Sequence, residues 1–294
     1  MDTDSNGDTF SVLSLNVQSL FNKLFELETI FNIYDFSAFC VCEHWLTENN
    51  YHLAKIDNFK CAAIYCRKLS GHGGVAIYLK NFLKFKIVNV DSMCIDGTFE
   101  VTAVILINYG ILLAAFYRSP TGDKNMFLEN FDKLLSVLSC YNLVIVICGD
   151  YNLDVNIKSN FCTDFLNILR SFNCYYCNTS PTRGTACLDN VISNAPRGSL
   201  ICTTLGLQIS DHDALTLNFK SFITSNKTSV SSPKVLKTRK FNDFNLNNFV
   251  NYLSTTYWWN HFYSYHNCSF DVFIHWFLEG FNYCFPLITV KKVE

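Results

Sequence analysis

The feature that most constrains the fold is a run of six apolar residues at positions 143–148, which leads directly into Gly149, Asp150, Tyr151 and Asn152. An unbroken apolar run of this length is typical of a central β-strand that is buried on both faces. The sequence therefore predicts a covered sheet, with Asp150 and Asn152 held at the end of its central strand.

Weaker patterns on both sides of this run predict further strands and helices. β-Branched and aromatic residues indicate a hairpin around Asn108 and further strands near 10–15, 38–42, 73–79, 188–193 and 214–219. Apolar residues spaced three and four apart predict helices over 21–34, 127–138 and 161–172. Strands and helices mixed in this way predict an α+β layered sandwich rather than a regular βαβ array.

The composition favours a large core and restricts the kind of partner. Of the 294 residues, 49% are hydrophobic and 16% are charged, which excludes wholesale disorder. The formal net charge of −2 excludes a globally basic nucleic-acid binder, so any DNA contact must use a local patch. The apolar stretch 101–117 is interrupted at 108–110 and is shorter than the roughly 20 residues that a membrane-spanning helix needs. We therefore expect no membrane partner.

The 14 cysteines are expected to be reduced and mostly buried. The chain is long, and it begins with acidic residues rather than an apolar signal core, which favours an intracellular protein. Cys174 and Cys177 form the one tight pair, and a structural zinc site there is the alternative interpretation. No second pair follows at the spacing of a zinc ribbon.

A change in composition near residue 220 predicts three parts of the chain: a catalytic domain over 1–220, a linker over 221–240 and a partly helical segment over 241–294. The linker is rich in Ser, Thr and Lys, which is typical of a solvated tether. The alternative interpretation is a basic segment that contacts the DNA backbone. The last segment holds no chemical motif, and its aromatic residues Trp258, Trp259 and Trp276 indicate packing on another surface.

The candidate functional residues are polar side chains that follow the apolar strands, where a rigid sheet would place them accurately. They are Asn16, Glu43, Tyr117, Arg118, Asp150, Asn152, Asp189, Ser210, Asp211 and His212. Hard oxygen donors with few thiols or imidazoles favour Mg²⁺ or Mn²⁺ over zinc. Such a cation neutralises the charge of a phosphate, while carboxylate and imidazole groups orient and deprotonate a water nucleophile. Each residue alone could serve as a turn or cap, but the whole set points to phosphodiester hydrolysis.

This ordered set resembles the endonuclease/exonuclease/phosphatase family, and within it the endonuclease domain of non-LTR (LINE-type) retrotransposons. The resemblance covers about residues 10–220, and its motifs lie at 13–23, 43–46, 73–77, 117–120 and 181–183. It implies a four-layer α/β/β/α sandwich, in which two packed mixed β-sheets are flanked by helices, followed by a C-terminal partly helical tail. Tyr151 departs from the family, which more often has Phe between the Asp and the Asn.

The resemblance also implies a role for each candidate residue. Glu43 and Asn16, supported by Asp211, would hold the divalent metal against the scissile phosphate. Asp150 would orient or deprotonate the attacking water, with help from Asn152.

On the phosphate side, the resemblance makes Tyr117 a hydrogen-bond donor to the phosphate. His212, steered by Asp189, would stabilise the charged transition state, and whether His212 or Asp150 is the general base stays open. Contacts with phosphate or DNA are expected from Arg118, Thr182, Arg183 and Ser210. The supporting Thr of the family could be Thr179, Thr182 or Thr185, and Thr182 is the favoured one.

The function implied is a metal-dependent DNA endonuclease that leaves a 3′-hydroxyl nick, as in target-primed retrotransposition. It implies DNA and a reverse transcriptase module as partners, and a protein made in the cytoplasm that acts in the nucleus. The sequence contains no Tyr-x-Asp-Asp motif of a reverse transcriptase, so a truncated reading frame is expected. The stretch between Arg183 and Asp189 is short, which predicts weak specificity for the DNA target sequence. The alternatives are a phosphoesterase of the same fold acting on phospholipid head groups or inositol phosphates, and an inactive nucleic-acid-binding remnant.

Overall fold

Two six-stranded sheets form the centre of the protein; the computed structural model describes residues 10–68, 71–220, 236–255 and 270–290. The first sheet has the strand order Leu200–Leu205 (β11), Ala214–Phe219 (β12), Ser11–Asn16 (β1), Ala38–Cys42 (β2), Val75–Lys80 (β4) and Phe59–Tyr65 (β3). The second has the order Phe85–Val88 (β5), Glu100–Leu106 (β6), Ile111–Tyr117 (β7), Val144–Asp150 (β8), Asp189–Ser193 (β10) and Tyr175–Tyr176 (β9).

Each sheet contains one parallel strand pair at its centre, and this determines where the polar strand ends lie. Strands β1 and β2 run parallel with Asn16 opposite Cys42, and β7 and β8 run parallel with Tyr117 opposite Asp150. Strand β10 begins with Asp189 opposite Asp150, on an antiparallel ladder. The carboxyl ends of the parallel strands and the start of β10 therefore share one edge of the sandwich.

Three apolar clusters fill the layers between and outside the sheets. The inner faces pack on each other through residues such as Val12, Ile77 and Val146. Helix α1 (Leu24–Ile33) covers the first sheet with Leu27 and Ile30, while α2 (Lys124–Ser139) and α3 (Asn160–Ser171) cover the second. Each fully buried aliphatic or Phe side chain contributes about 1.5–3 kcal/mol. The predicted four-layer sandwich is confirmed.

The two outer helices on the second sheet follow directly from local sequence signals. The Asp123 carboxylate accepts a hydrogen bond from Met126 N at 2.7 Å, and the Ser159 hydroxyl accepts one from Cys162 N at 3.1 Å. These side chains satisfy backbone donors that the first turn of a helix leaves unpaired. The buried face of α2 holds the residues whose spacing predicted it: Phe127, Phe131, Leu134, Leu135 and Leu138.

The strands on either side of Asn108 form the predicted hairpin, β6 and β7. Among the described residues, no helix has the length and apolar character to cross a membrane. The described cysteines are free thiols, and most of them are buried.

The C-terminal residues pack on the outer helices of the second sheet. Residues Leu236–Arg239 (β13) pair with Leu287–Val290 (β14), and two helices, Asp243–Thr255 (α4) and Phe270–Cys284 (α5), lie between them in sequence. Phe241 N donates to Ser171 Oγ at 2.8 Å, and Asn167 Nδ2 donates to Asp243 Oδ1 at 2.9 Å. The linker predicted over 221–240 therefore includes a strand at its end.

The rest of the linker interpretation lies outside the described residues, which omit 221–235. Trp258 and Trp259 are also outside them, whereas Trp276 lies half-buried in α5. The division of the chain at residues 220 and 240 stays a prediction.

Candidate active site

Polar side chains from the two sheets meet across the seam at one edge of the sandwich. Asn16 ends β1 in the first sheet, and its Nδ2 donates to Asp150 Oδ2, at the end of β8 in the second, at 3.0 Å. The same amide donates to Glu43 Oε1 at 2.8 Å, so the two carboxylates converge on Asn16. The structure thus brings together three of the predicted site residues from distant parts of the sequence.

The turn that carries Glu43 is strained and tightly packed. Glu43 and Trp45 have φ angles of 51° and 56°, which residues other than glycine rarely adopt and which cost about 1–3 kcal/mol each. Trp45 N donates to Gly73 O at 3.0 Å, and its indole Nε1 donates to Glu43 Oε2 at 3.1 Å. The His44 ring occupies the space in which a Cβ on Gly74 would lie. The surrounding contacts therefore fix the direction of the Glu43 carboxylate.

His44 is a structural residue of this turn. Its ring is buried, and burial lowers its pKa to about 4. Nδ1 accepts a hydrogen bond from Leu46 N at 2.9 Å, so the neutral ring carries its proton on Nε2, which donates to Tyr65 O at 3.0 Å.

Asp150 lies at the most enclosed point of the site. A Cβ on Gly149 would lie 1.8 Å from Phe116 O, so only glycine allows β7 and β8 to approach this closely just before Asp150. Asn152 N donates to Asp150 Oδ1 at 2.9 Å. Burial, followed by the charge of Asp189, raises the pKa of Asp150 above its usual range.

His212 and Asp189 form a buried pair next to Asp150. His212 Nδ1 lies 2.7 Å from Asp189 Oδ2, while its Nε2 is 3.9 Å from Asp150 Oδ2. Burial alone lowers the pKa of His212, but the hydrogen bond to Asp189 and the charges of Asp189, Asp150 and Asp211 raise it to about 9. The pair therefore presents an N–H on Nε2 toward Asp150 at neutral pH.

Tyr117 completes the row of residues along the seam. It is buried at the end of β7, close to Glu43, which follows β2 of the other sheet. Burial and the charge of Glu43 raise its pKa, so the phenol stays protonated and can donate a hydrogen bond.

The donor set at this edge fits a hard divalent cation. Among the described residues, the one cluster of three potential ligands with atoms within 4.8 Å is Asp150, Asp189 and His212. Asp189 and His212 already form a hydrogen bond with each other, which makes this cluster less suited to a cation. The carboxylate oxygens of Glu43 and Asp150, which converge beside Asn16, are better suited. Burial and then the charge of Asp189 raise the pKa of Asp150, and a cation beside this carboxylate would offset the shift.

Comparison with solved structures identifies the architecture, whereas no family model and no curated protein matches the sequence. The endonuclease domain of TRAS1, a telomere-specific non-LTR retrotransposon, superposes with a TM-score of 0.57 at 13% identity, covering 72% of this chain and 99% of that domain. AP endonuclease LMAP from Leishmania major gives 0.61 at 14%, covering 75% and 91%. An endonuclease/exonuclease/phosphatase family protein from Leptotrichia buccalis gives 0.52 at 13%, covering 72% and 100%.

The chain has the endonuclease/exonuclease/phosphatase fold. At these identities the likeness establishes the fold alone, because one fold supports several reactions. We call the edge that carries Asn16, Glu43, Asp150 and His212 the active edge.

Two residues with predicted phosphate or DNA contacts are buried in this structure. Arg118 is 1% exposed, and its guanidinium donates to Asn152 O at 3.3 Å and to Gly122 O at 2.6 Å. Thr182 is also 1% exposed, and its hydroxyl accepts from Asp189 N at 3.0 Å. Both side chains support the loops of neighbouring site residues, and their contacts with phosphate or DNA stay predictions.

The remaining predicted residues lie at the surface of the active edge. Arg183 and Asp211 form an ion pair of 2.5 Å, and both side chains are about half exposed. Asp211 Oδ1 lies 3.8 Å from His212 Nε2, whereas Ser210 Oγ donates to Asn16 O at 2.6 Å. Contacts of Arg183 with DNA and of Asp211 with a metal stay predictions.

Sequence analysis missed two charged residues at this edge, Arg67 and Glu100. Arg67 Nε lies 2.5 Å from Glu100 Oε1, and the Arg67 guanidinium carbon lies 5.5 Å from the centre of the Tyr117 ring. Glu100 begins the apolar strand β6, opposite Tyr117, so a search that also covered polar residues at the starts of apolar strands would have found it.

Proposed function

We propose that this protein is a divalent-metal-dependent phosphodiesterase that nicks duplex DNA and leaves a 3′-hydroxyl. The observation that carries the proposal is the row of contacts across the seam, in which the Asn16 amide joins Glu43 and Asp150, and the buried His212–Asp189 pair faces Asp150. These groups can bind a cation, position a water and stabilise an anionic phosphorus centre at one place.

Glu43 and Asn16, with Asp150 beside them, would hold the cation, which when bound neutralises the charge of the scissile phosphate. The Asp150 carboxylate orients the water and accepts its proton as the water oxygen bonds to phosphorus and the P–O3′ bond breaks. The departing 3′ oxygen takes up a proton from solvent to become the hydroxyl, and the new P–O bond leaves a 5′-phosphate. Asn152 N, 2.9 Å from Asp150 Oδ1, holds that carboxylate in place.

The protonation of His212 supports Asp150 rather than His212 as the base. A cation beside Asp150 would lower the raised pKa of its carboxyl group and keep the carboxylate ionised, so that it can accept a proton. His212, with a pKa of about 9, carries a proton at neutral pH and can stabilise the negative charge that develops on the phosphate. Tyr117 donates a second hydrogen bond to the phosphate.

We further propose that the protein acts in target-primed retrotransposition. It is supported by the motifs at 43–46 and 117–120, and by the likeness to the TRAS1 endonuclease domain along 99% of that domain. On this proposal a reverse transcriptase module extends the 3′-hydroxyl, and the protein acts in the nucleus after synthesis in the cytoplasm.

The test is incubation of the full chain with supercoiled plasmid and Mg²⁺. Open circles should form, and the variants Glu43→Gln and His212→Ala should form at least about 100-fold fewer, because each loses a charge that the transition state uses. Turnover of inositol phosphates or phospholipid head groups without nicking would favour a phosphoesterase with small substrates. Metal-independent, salt-sensitive DNA binding without nicking would favour the inactive remnant.

A further inference from the structure

A buried ion pair lies at the end of the seam, next to Tyr117. Arg67 follows β3 in the first sheet, and Glu100 begins β6 in the second. Their side chains are 11% and 0% exposed, and Arg67 Nε lies 2.5 Å from Glu100 Oε1. The free-energy cost of removing two charged groups from water offsets most of the attraction between them. Such a pair is therefore weak evidence for a gain in stability. Its position suggests that it organises the active edge.

Glu100 fixes the backbone on which the Glu43 turn rests. Its Oε2 accepts a hydrogen bond from Gly74 N at 2.6 Å, and its Oε1 accepts one from Gly97 N at 2.8 Å. The preceding residue, Gly73, accepts the hydrogen bond from Trp45 N. The carboxylate thus holds one loop of each sheet, and through Gly73 it supports a turn whose backbone is strained.

Arg67 is enclosed between that glycine loop and the Tyr117 ring. A Cβ on Gly73 would lie 2.1 Å from Arg67 Nε, so the guanidinium lies directly on the loop backbone. Its central carbon is 5.5 Å from the centre of the Tyr117 ring, within the range of a cation–π contact. The hydroxyl of that ring lies close enough to Glu43 for the Glu43 charge to raise its pKa. The ring itself belongs to the apolar cluster between the two sheets, so Arg67 contacts a side chain that lies where the sheets meet.

We propose that Arg67, anchored by Glu100, is a positioning residue that fixes the Tyr117 hydroxyl and the Glu43 turn toward the scissile phosphate. The inference rests on the proposed phosphodiesterase function. Tyr117 and Glu43 belong to different sheets, so their separation depends on what holds the seam together. An error of about 1 Å in such a separation can cost about 100-fold in rate. Arg67 accordingly affects turnover more than DNA affinity.

The test is a double-mutant cycle of Arg67→Met and Tyr117→Phe in the full chain, with plasmid nicking in Mg²⁺ as the readout. Arg67→Met should lower kcat about 10- to 100-fold and change the KM for DNA by less than about threefold. Arg67→Lys, which keeps the charge, should recover part of that loss. In the Tyr117→Phe background, Arg67→Met should cost at most about threefold more, because its target hydroxyl is already absent.

Lys80→Met is the matched control, since Lys80 forms an ion pair with the exposed Asp35 at the other end of β4. It should nick like the unsubstituted chain. Independent, multiplicative effects of Arg67→Met and Tyr117→Phe overturn the proposal, as does a rise in KM with unchanged kcat, which would make Arg67 a direct DNA contact.

Amide hydrogen exchange at Trp45 and Gly74 gives a second readout that needs no activity. Exchange at both amides should accelerate in Arg67→Met and stay unchanged in Lys80→Met. If the unsubstituted chain does not nick plasmid, the proposed function is contradicted, and this exchange experiment then decides the inference. Unchanged exchange in Arg67→Met overturns it.

Discussion

At the scale of single residues, the site depends on two buried groups whose pKa values are raised, Asp150 and His212. Burial and the charge of Asp189 raise the pKa of Asp150, and the cation that the proposal places beside it would offset this shift and leave a carboxylate that can accept a proton from water. The hydrogen bond to Asp189 raises the pKa of His212 to about 9 despite burial, so the imidazole stays charged. Asp189 therefore contributes to the pKa values of both groups.

The pH dependence of nicking should report the His212–Asp189 pair. Deprotonation of His212 removes the charge that stabilises the phosphate, so kcat should fall as the pH rises through about 9. Asp189→Asn removes the main cause of the raised pKa, so the alkaline limb should move to lower pH. A pH–rate profile of both proteins in Mg²⁺ checks this, and an alkaline limb that does not move in Asp189→Asn is evidence against the pair.

His44 should make the fold sensitive to acid. Its pKa is about 4 in the folded protein, against an ordinary value of 6.5, so the unfolded chain binds more protons between these pH values. The free energy of unfolding should therefore decrease as the pH falls from 6.5 to 4, by up to about 3 kcal/mol. Urea titrations across this range provide the measurement. His44→Gln should lose this pH dependence, and an equally steep dependence in that variant would assign it to other groups.

At the scale of elements, the site depends on how closely β7 and β8 approach. Gly149→Ala would place a methyl group on Phe116 O, so the strands must separate next to Asp150. We expect a loss of about 3 kcal/mol or more in the free energy of unfolding, measured with urea. Gly71→Ala is the control, because a Cβ there meets nothing within 4 Å. Equal stability of the two variants would contradict this account of the strand pair.

The elements also show what the sequence can reveal. Strand β8 and helix α2 are predictable because their apolar residues follow one clear pattern, a continuous run in the strand and a helical spacing in α2. Strands β3, β5, β9 and β11 were not predicted; all four lie at sheet edges, where strands such as β11 bury too little to leave such a pattern. A motif indicates which residues lie near a site but not how deeply they are buried, so it did not reveal that Arg118 is 1% exposed. Arg67 was missed because its partner, Glu100, lies 33 positions away.

At the scale of the whole molecule, the three apolar clusters of the sandwich lie within residues 10–219. The C-terminal strands and helices pack on the outside of α3 through a few hydrogen bonds. A chain of residues 1–220 should therefore fold cooperatively and nick plasmid at a rate within about threefold of the full chain, since truncation leaves the core intact. Thermal unfolding and the nicking assay check this. A fragment that fails to fold would place the domain boundary further along the chain.

We propose that the active edge of the sandwich hydrolyses DNA and leaves a 3′-hydroxyl that a polymerase can extend. The most direct measurement is labelled-nucleotide incorporation by a DNA polymerase into supercoiled plasmid previously treated with the protein in Mg²⁺. We predict nicked circles that the polymerase extends without any prior end treatment, and no incorporation after treatment in EDTA or with Glu43→Gln. Absence of nicking, or nicking that persists without metal and with Glu43→Gln, would contradict the account, as would nicks that the polymerase cannot extend.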